Sequence, residues 1–253
     1  MRVGLVLSGG GARGISHIGV AAALSEYGIV PDIISGTSSG AFVGALLAHG
    51  YKPREIIELI TKTRLYSYLR LGFGVNGFLQ LHKMEEVICR YLPHNSFEAL
   101  QIPLIVTATD IVNAAEIRFS SGPLAIPIVA SCSIPGLFSP IMHAGYELVD
   151  GGVLNNLPVE AIREETAFVI GSHCNPFLLD KPLKSTSEIV YRSLILAMHA
   201  KTRERFGKCD LLIEPPALSR FSIFDFRKAE QLFEAGYRYT KELLAEVRPR
   251  LPA

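Results

Sequence analysis

Apolar residues fall along this chain in two alternating kinds of run. Short, nearly unbroken runs at 2–7, 32–35, 146–149, 167–172 and 210–213 read as buried strands. Between them, apolar positions recur at helical spacing. Ile15, Ile18, Gly19, Ala22 and Ala23 mark a helix over 15–27, stopped by Gly28. Further helices are predicted after Gly40, over 53–63 with an acidic first turn, and over 124–131, 158–164, 187–206 and 227–248. The runs 103–112 and 115–120, around Asn113, read as a hairpin. Strands alternating with helices predict a mainly parallel sheet with both faces covered. No repeat, low-complexity tract or linker divides residues 1–253, so one domain is expected.

One stretch carries chemistry on its face. After the strand at 32–35 comes Gly36-Thr37-Ser38-Ser39-Gly40, which fits G-x-S-x-G, a strand-to-helix turn that thrusts a serine hydroxyl outward. The glycines are required because a side chain at either end would collide with the neighbouring strand or helix. Gly40, Gly44 and Ala48 then repeat every four residues, so the helix can lie close to the sheet. Its amino terminus points at Ser38, where the backbone dipole favours developing negative charge. Ser38 is the candidate nucleophile.

Composition narrows the setting. With 253 residues, 49% hydrophobic and 19% charged, the chain can bury the core of one large domain. No run reaches the roughly 18 unbroken apolar residues of a membrane span. The first apolar run is too short for a signal peptide and lacks a small-residue cleavage site. Cys89, Cys132, Cys174 and Cys209 form no C-x-x-C pair, so free thiols and a cytoplasmic setting are expected. A net charge of +1 argues against nucleic acid as a partner and gives no global pull toward anionic lipid. With no zinc-ligand spacing, calcium loop or complete cofactor fingerprint, chemistry without metal or cofactor is expected.

The loop Gly9-Gly10-Gly11-Ala12-Arg13-Gly14 satisfies G-x-G-x-x-G between a strand and a helix. A dinucleotide site also needs an acid at the end of the second strand, and the nearby Asp32 begins that strand instead. The other use of such a loop is an oxyanion hole, in which converging N–H groups stabilise the alkoxide of a tetrahedral intermediate. Loop and elbow both follow carboxyl ends of what read as adjacent parallel strands, and would face one site. Arg13 reads as an anchor for its loop rather than a substrate contact. A base for Ser38 could be Asp150, which ends an apolar strand before Gly151-Gly152, or a histidine after it, His173 or His199. The competing reading of Asp150 is a turn cap, which aspartate often supplies. Two apolar stretches, 65–79 and 221–226, suit either a packed loop or a mobile cover over a lipid site, and neither reads as a convincing membrane anchor.

Together these motifs resemble the patatin-like acyl hydrolases, specifically small bacterial members similar to the esterase domain of neuropathy target esterase. GGGARG matches the family's oxyanion loop, GTSSG its elbow, the segment 134–140 its proline-aromatic stretch, and Asp150-Gly151-Gly152 its D-G-G/A motif. The resemblance runs from about Val3 to Ile162. It implies a three-layer α/β/α sandwich with a mainly parallel central sheet and a Ser38–Asp150 dyad. It further implies hydrolysis of acyl esters of phospholipids or lysophospholipids, with transient contact at a membrane surface. Pro127 departs from the pattern and is expected to kink or shorten its helix. The competing readings are a catalytically idle lipid-binding scaffold and a dinucleotide-binding oxidoreductase. Head group, chain length and oligomeric state are not written in these motifs.

Overall fold

The computed structural model describes residues 1–62, 77–176 and 186–247. Strands β1 (Val3–Leu7), β2 (Ile33–Thr37), β3 (Leu104–Asp110), β4 (Ala115–Phe119), β5 (Ile141–His143), β6 (Tyr146–Asp150), β7 (Phe168–Ser172) and β8 (Leu211–Ile213) form a single eight-stranded sheet. Its order is β5-β6-β3-β2-β1-β7-β8, with β4 paired to β3. The run β3-β2-β1-β7-β8 is parallel, while β4, β5 and β6 add an antiparallel corner around β3. The helices are α1 (Ser16–Glu26), α2 (Ser39–His49), α3 (Pro53–Lys62), α4 (Gly77–Tyr91), α5 (Ala125–Ser131), α6 (Thr186–Phe206) and α7 (Ala229–Val247).

Alternation along β1 sorts the two layers. Val3, Leu5 and Leu7 point into the larger core, packed with side chains of α1, α2, α3, α4, α5 and α7. Val6 points the other way, onto Leu157, Val159, Ile162 and Phe206. The result is a mixed α/β sandwich with a mostly parallel sheet, helix-rich on one face and thinner on the other. The thin face differs from expectation: 158–164 is not a helix but two 3-10 turns, Val159–Ala161 and Arg163–Glu165. Two elements went unforeseen. One is α4, which follows directly on the glycine-rich apolar stretch, and the other is the three-residue β5. The stretch 65–79 falls mostly outside the described residues. Pro127 neither kinks nor breaks α5: it is the third residue of a seven-residue helix, in the first turn, where its missing N–H has no helical acceptor to lose.

Close approach at glycines decides how α1 and α2 sit. A Cβ on Gly19 would strike Tyr237 N at 2.7 Å, and one on Gly236 would reach the Ser16 backbone, so α1 and α7 cross backbone to backbone. Gly40 lets α2 enter against the end of β1, where a Cβ would stand 2.6 Å from Ser8 O. Gly44, one turn on, meets only side chains, the nearest being Ile34 at 3.1 Å. Ala is the better helix former, so both Gly→Ala changes ought to stabilise by about 1 kcal/mol if space allowed. Gly40→Ala should instead lose about 1–3 kcal/mol in urea unfolding, the cost of overpacking against backbone. Gly44→Ala should stay within about 1 kcal/mol of the parent. Equal stabilities for the two variants would show that α2 does not sit this close to β1.

Candidate active site

Two strands share one edge of β3 end to end, and this brings the predicted pair together. β2 pairs in parallel with the first half of β3, its last residue Thr37 opposite Thr107. β6 pairs antiparallel with the second half, its last residue Asp150 opposite Ala108. β4 already pairs with 106–110, so β2 and β6 both lie on the other edge. Their carboxyl ends therefore abut. Ser38 follows Thr37 at φ 54, ψ −125, a strained conformation that turns the chain into α2. Its N–H donates to Ser131 Oγ (2.7 Å), and that hydroxyl donates to Thr107 O (2.6 Å), which ties the elbow to β3.

Asp150 is buried at the end of β6, beside the Ser38 elbow. Burial pushes its carboxyl up to about 6, against hydrogen bonds from Ser38 and the Gly152 N–H. The latter, 2.7 Å onto Oδ1, makes Asp150 a turn cap. Its own N–H donates to Ser133 O at 2.9 Å. Gly151 is required by the same crowding, since a Cβ there would strike Thr107 O. The neighbouring Ser39 is different. Its hydroxyl is buried against Gly14 and has no hydrogen-bond partner among the described residues. Cys132 joins the site unannounced. Burial and the Asp150 carboxylate push its thiol up, while a hydrogen bond with Ser38 pulls it down.

The glycine-rich loop lies over the same point. A Cβ on Gly9 would stand 3.0 Å from Ser38 Cβ and 2.6 Å from Asn156 Oδ1, so no larger residue fits there. Gly11 takes φ +57, a left-handed conformation that glycine tolerates. Gly9 N–H donates to Asn156 O (3.2 Å), Ala12 N–H to Ile223 O (2.8 Å) and Arg13 N–H to Gly10 O (3.2 Å). The N–H groups of Gly10 and Gly11 make no hydrogen bond among the described residues. Arg13 anchors the loop as the sequence suggested, with Nε on Phe221 O (2.8 Å) and Nη1 on Asn175 Oδ1 (3.4 Å). Asn175 also donates to Gly9 O, and Ser8 Oγ accepts from Cys174 N–H (3.0 Å).

The remaining candidates are elsewhere employed. Asp32 accepts from Val3 N–H (2.7 Å) at the amino end of β2, so no acid stands where a ribose would need one. His173 Nδ1 lies 2.7 Å from Glu214 Oε1, and its ring packs on His199 and Phe206. Among the described residues, no group of three or more His, Cys, Asp or Glu could hold a metal ion. No described helix is long and apolar enough to cross a membrane.

Residues 5–163 match the family model for patatin-like phospholipase. The chain belongs to that family. It is 30% identical to lysophospholipase NTE1 of Kluyveromyces lactis over 98% of its own length and 19% of that protein's. It is 30% identical to lysophospholipase NTE1 of Saccharomyces cerevisiae over 96% of its length and 16% of that protein's. The chain thus spans less than a fifth of these relatives. Its fold resembles the crystal structure of VipD from Legionella pneumophila, with a TM-score of 0.59 at 17% identity over 97% of this chain and 67% of that one. Membership in the family implies a serine-type lipid hydrolase.

The matched span contains elbow, loop and Asp150, but the 172–175 brace lies beyond it. Sequence reasoning missed that brace and missed His17, which is fully buried on α1. His17 Nε2 lies 2.8 Å from Ser8 O, which can only accept, so Nε2 carries the proton. Nδ1 then accepts from Ser172 Oγ at 2.7 Å, and the neutral ring clamps the start of the glycine loop to the end of β7. A signal was present: from Ser16 to Val20 every residue of α1 is buried, so a histidine there has no polar face to occupy.

Burial brings His17 down to about 4, opposed by its bond to Ser8 O and helped by nearby His173. Its unfolded value is near 6.5, so between pH 6.5 and 4 the unfolded chain binds the extra proton. The resulting stability is fully present above pH 6.5 and drains away toward pH 4. His17→Gln, which keeps a hydrogen-bonding amide but cannot titrate, should lower Tm at pH 7.5 yet flatten its fall between 6.5 and 4. An equally steep fall in the variant would show that His17 is not the group responsible.

Proposed function

We propose that this chain is a serine acyl hydrolase that cleaves carboxylic ester bonds of phospholipid or lysophospholipid, with Ser38 as nucleophile and Asp150 as its base. The observation that carries this reading is the abutment of β2 and β6, which sets a strained serine against a buried carboxylate raised to about 6. A carboxylate with an ordinary pKa of about 3.9 is a weak base toward a serine hydroxyl. Raising it narrows the mismatch. In the acylation step Ser38 Oγ attacks the ester carbonyl as its proton passes to Asp150, and the carbonyl oxygen becomes an alkoxide. The N–H groups of Gly10 and Gly11, unbonded among the described residues, supply with the amino terminus of α2 the donors for that alkoxide. Collapse expels the alcohol, which takes the proton from Asp150. Water then attacks the acyl-enzyme by the same route in reverse. NTE1 relatives bear the name lysophospholipase, which favours a substrate with one acyl chain.

The test joins labelling by a fluorophosphonate probe with ester turnover. Ser38→Ala should abolish both, whereas Ser39→Ala should keep measurable turnover because its hydroxyl makes no hydrogen bond among the described residues. Asp150→Asn should remove nearly all turnover, since an amide cannot accept the proton. His173→Ala should stay within about tenfold of wild type, or 1.4 kcal/mol. Collapse of a folded His173 variant to the level of Ser38→Ala would replace the dyad by a triad.

The base works only when ionised, so kcat/KM should climb with pH through about 6 and level off above it. A profile flat from pH 4.5 to 8 would contradict the raised carboxyl. At the oxyanion loop, a β-branched residue at Gly10 or Gly11 would collide with Cys174 or with Ile223 O and displace the donors. Such variants should lose roughly two to three orders of magnitude in kcat with the fold retained by circular dichroism. Unaltered kcat would assign the loop another role.

A further inference from the structure

One surface segment, 220–228, belongs to none of the catalytic parts yet is hydrogen-bonded to the glycine-rich loop. It begins where the 3-10 turn Pro216–Arg220 ends and runs through Phe221-Ser222-Ile223-Phe224-Asp225 into a second such turn, Phe226–Lys228, ahead of α7. Asp225 N–H donates to Ser222 O (3.1 Å), and Ser222 N–H to Asp225 Oδ2 (2.9 Å), which closes a compact turn with Phe224 inside its span. Two of its carbonyls serve the loop: Ile223 O accepts from Ala12 N–H and Phe221 O from Arg13 Nε, each at 2.8 Å. Gly11 is confined to glycine partly by this contact, since a Cβ there would lie 2.5 Å from Ile223 O.

What the segment leaves in solvent is of one chemical kind. Phe224 is 41% exposed, and Arg220, Arg227 and Lys228 are exposed on either side of it in the chain. Against these three cations stands one carboxylate, Asp225, already held by Ser222 N–H and by Lys228 Nζ at 3.0 Å; Glu230 follows in the first turn of α7. In a chain whose net charge is only +1, this segment carries three cations, one of them paired with Asp225, on either side of an exposed ring in sequence. A lone exposed phenylalanine is ordinary. A ring flanked by cations is the composition that seats a protein in the interface of an anionic bilayer, the ring at the acyl boundary and the cations among phosphates.

We propose that segment 220–228 docks the protein on an anionic lipid surface, with Phe224 entering the headgroup–acyl boundary and Arg220, Arg227 and Lys228 facing the lipid phosphates. The inference rests on the reading of the site as a lipid acyl hydrolase and says how that site meets its substrate. Docking through this segment brings the glycine-rich loop to the membrane plane, because the carbonyls that hold the loop belong to the docking turn. Lipid is the occupant for that reason. An acidic protein seated here would gain from the cations but would stand where a lipid ester must approach the loop.

The chain contains no tryptophan, so Phe224→Trp provides a single reporter. In a Ser38→Ala background, which leaves the lipid intact, the protein is titrated with phosphatidylcholine vesicles with and without phosphatidylglycerol. The expected result is a blue-shifted tryptophan emission and co-sedimentation only with the anionic vesicles, both weakened by added salt. Arg220→Gln combined with Arg227→Gln should weaken that binding roughly thirtyfold, about a kilocalorie per charge lost. Phe224→Ser should weaken it roughly tenfold.

With Ser38 restored, both variants should hydrolyse a soluble short-chain ester within about twofold of wild type while losing turnover on anionic vesicles in step with binding. Binding unchanged in the variants would overturn the proposal. So would a parallel loss of soluble-ester turnover, since the segment would then serve only to shape the loop. Vesicle binding by this segment in a protein that hydrolyses no ester would uphold the docking surface and reject the function proposed for the site.

Discussion

The edge of β3 is the constraint on which the site depends. A strand has two edges, and β4 occupies one of them along 106–110, so whatever else pairs with that part of β3 must share the other. β2 takes the first half of that edge and β6 the second, arriving from opposite directions. Where they meet, each chain must leave the sheet at once. β2 does so through the strained turn at Ser38, and β6 does so through Gly151, which has no room for a side chain against Thr107. The strain at Ser38, of order 1–3 kcal/mol for such backbone conformations, is held by Ser131, whose hydroxyl links the Ser38 N–H to Thr107 O. Serine and carboxylate meet because neither strand can run on.

The parts of this arrangement legible in the sequence are those coded within a few residues. The elbow, the glycine-rich loop and the strand ending at Asp150 each carry their own glycines and apolar runs, and the adjacency of β1 and β2 follows from a short βαβ connection. The abutment of β6 with β2 was not legible, since antiparallel entry on an edge already partly filled leaves no local mark. Ser131 and His17 stayed hidden for the same reason: their partners lie far off in sequence, 93 residues away for Ser38 and 155 for Ser172. The 158–164 helix failed for a local reason. Val159 and Ile162 are needed against Val6 and Val169 on the thin face of the sheet, and packing there breaks the stretch into two short turns. The amphipathic α4 was obscured by the glycines and aromatics just ahead of it, whose composition suggests loop.

Two layers of bracing surround the glycine-rich loop beside Ser38 and Asp150. Gly9 is fixed on three sides, by Asn156 from the Asp150 arm, by Asn175 from the end of β7, and by the bulk of Ser38. The loop is thus tied both to the arm that follows Asp150 and to the strand that flanks β1. His17 adds a neutral, buried clamp between Ser8 and Ser172, where burial disfavours a protonated ring. Donors that must be preorganised for an alkoxide are best held by groups that cannot rearrange when the charge appears. Each of these braces is fully or largely buried, and each uses a backbone atom on at least one side.

The electrostatics of Asp150 bear directly on how its role can be established. Burial alone would make the carboxyl a stronger base still, but Ser38 and Gly152 donate to it and hold the value near 6. An unperturbed histidine titrates near 6.5. An acid limb at pH 6 in the rate profile therefore does not tell an aspartate base from a histidine base in this protein, although for an ordinary aspartate it would. The temperature response does tell them apart. Carboxylic acids ionise with little enthalpy, because charge is created and water is ordered around it. Imidazolium ionises with a large positive enthalpy, since one cation merely replaces another. Warming should leave an Asp150 limb almost in place and would draw a histidine limb to lower pH. The raised carboxyl of Asp150, at the strand end that abuts the Ser38 elbow, favours the first outcome.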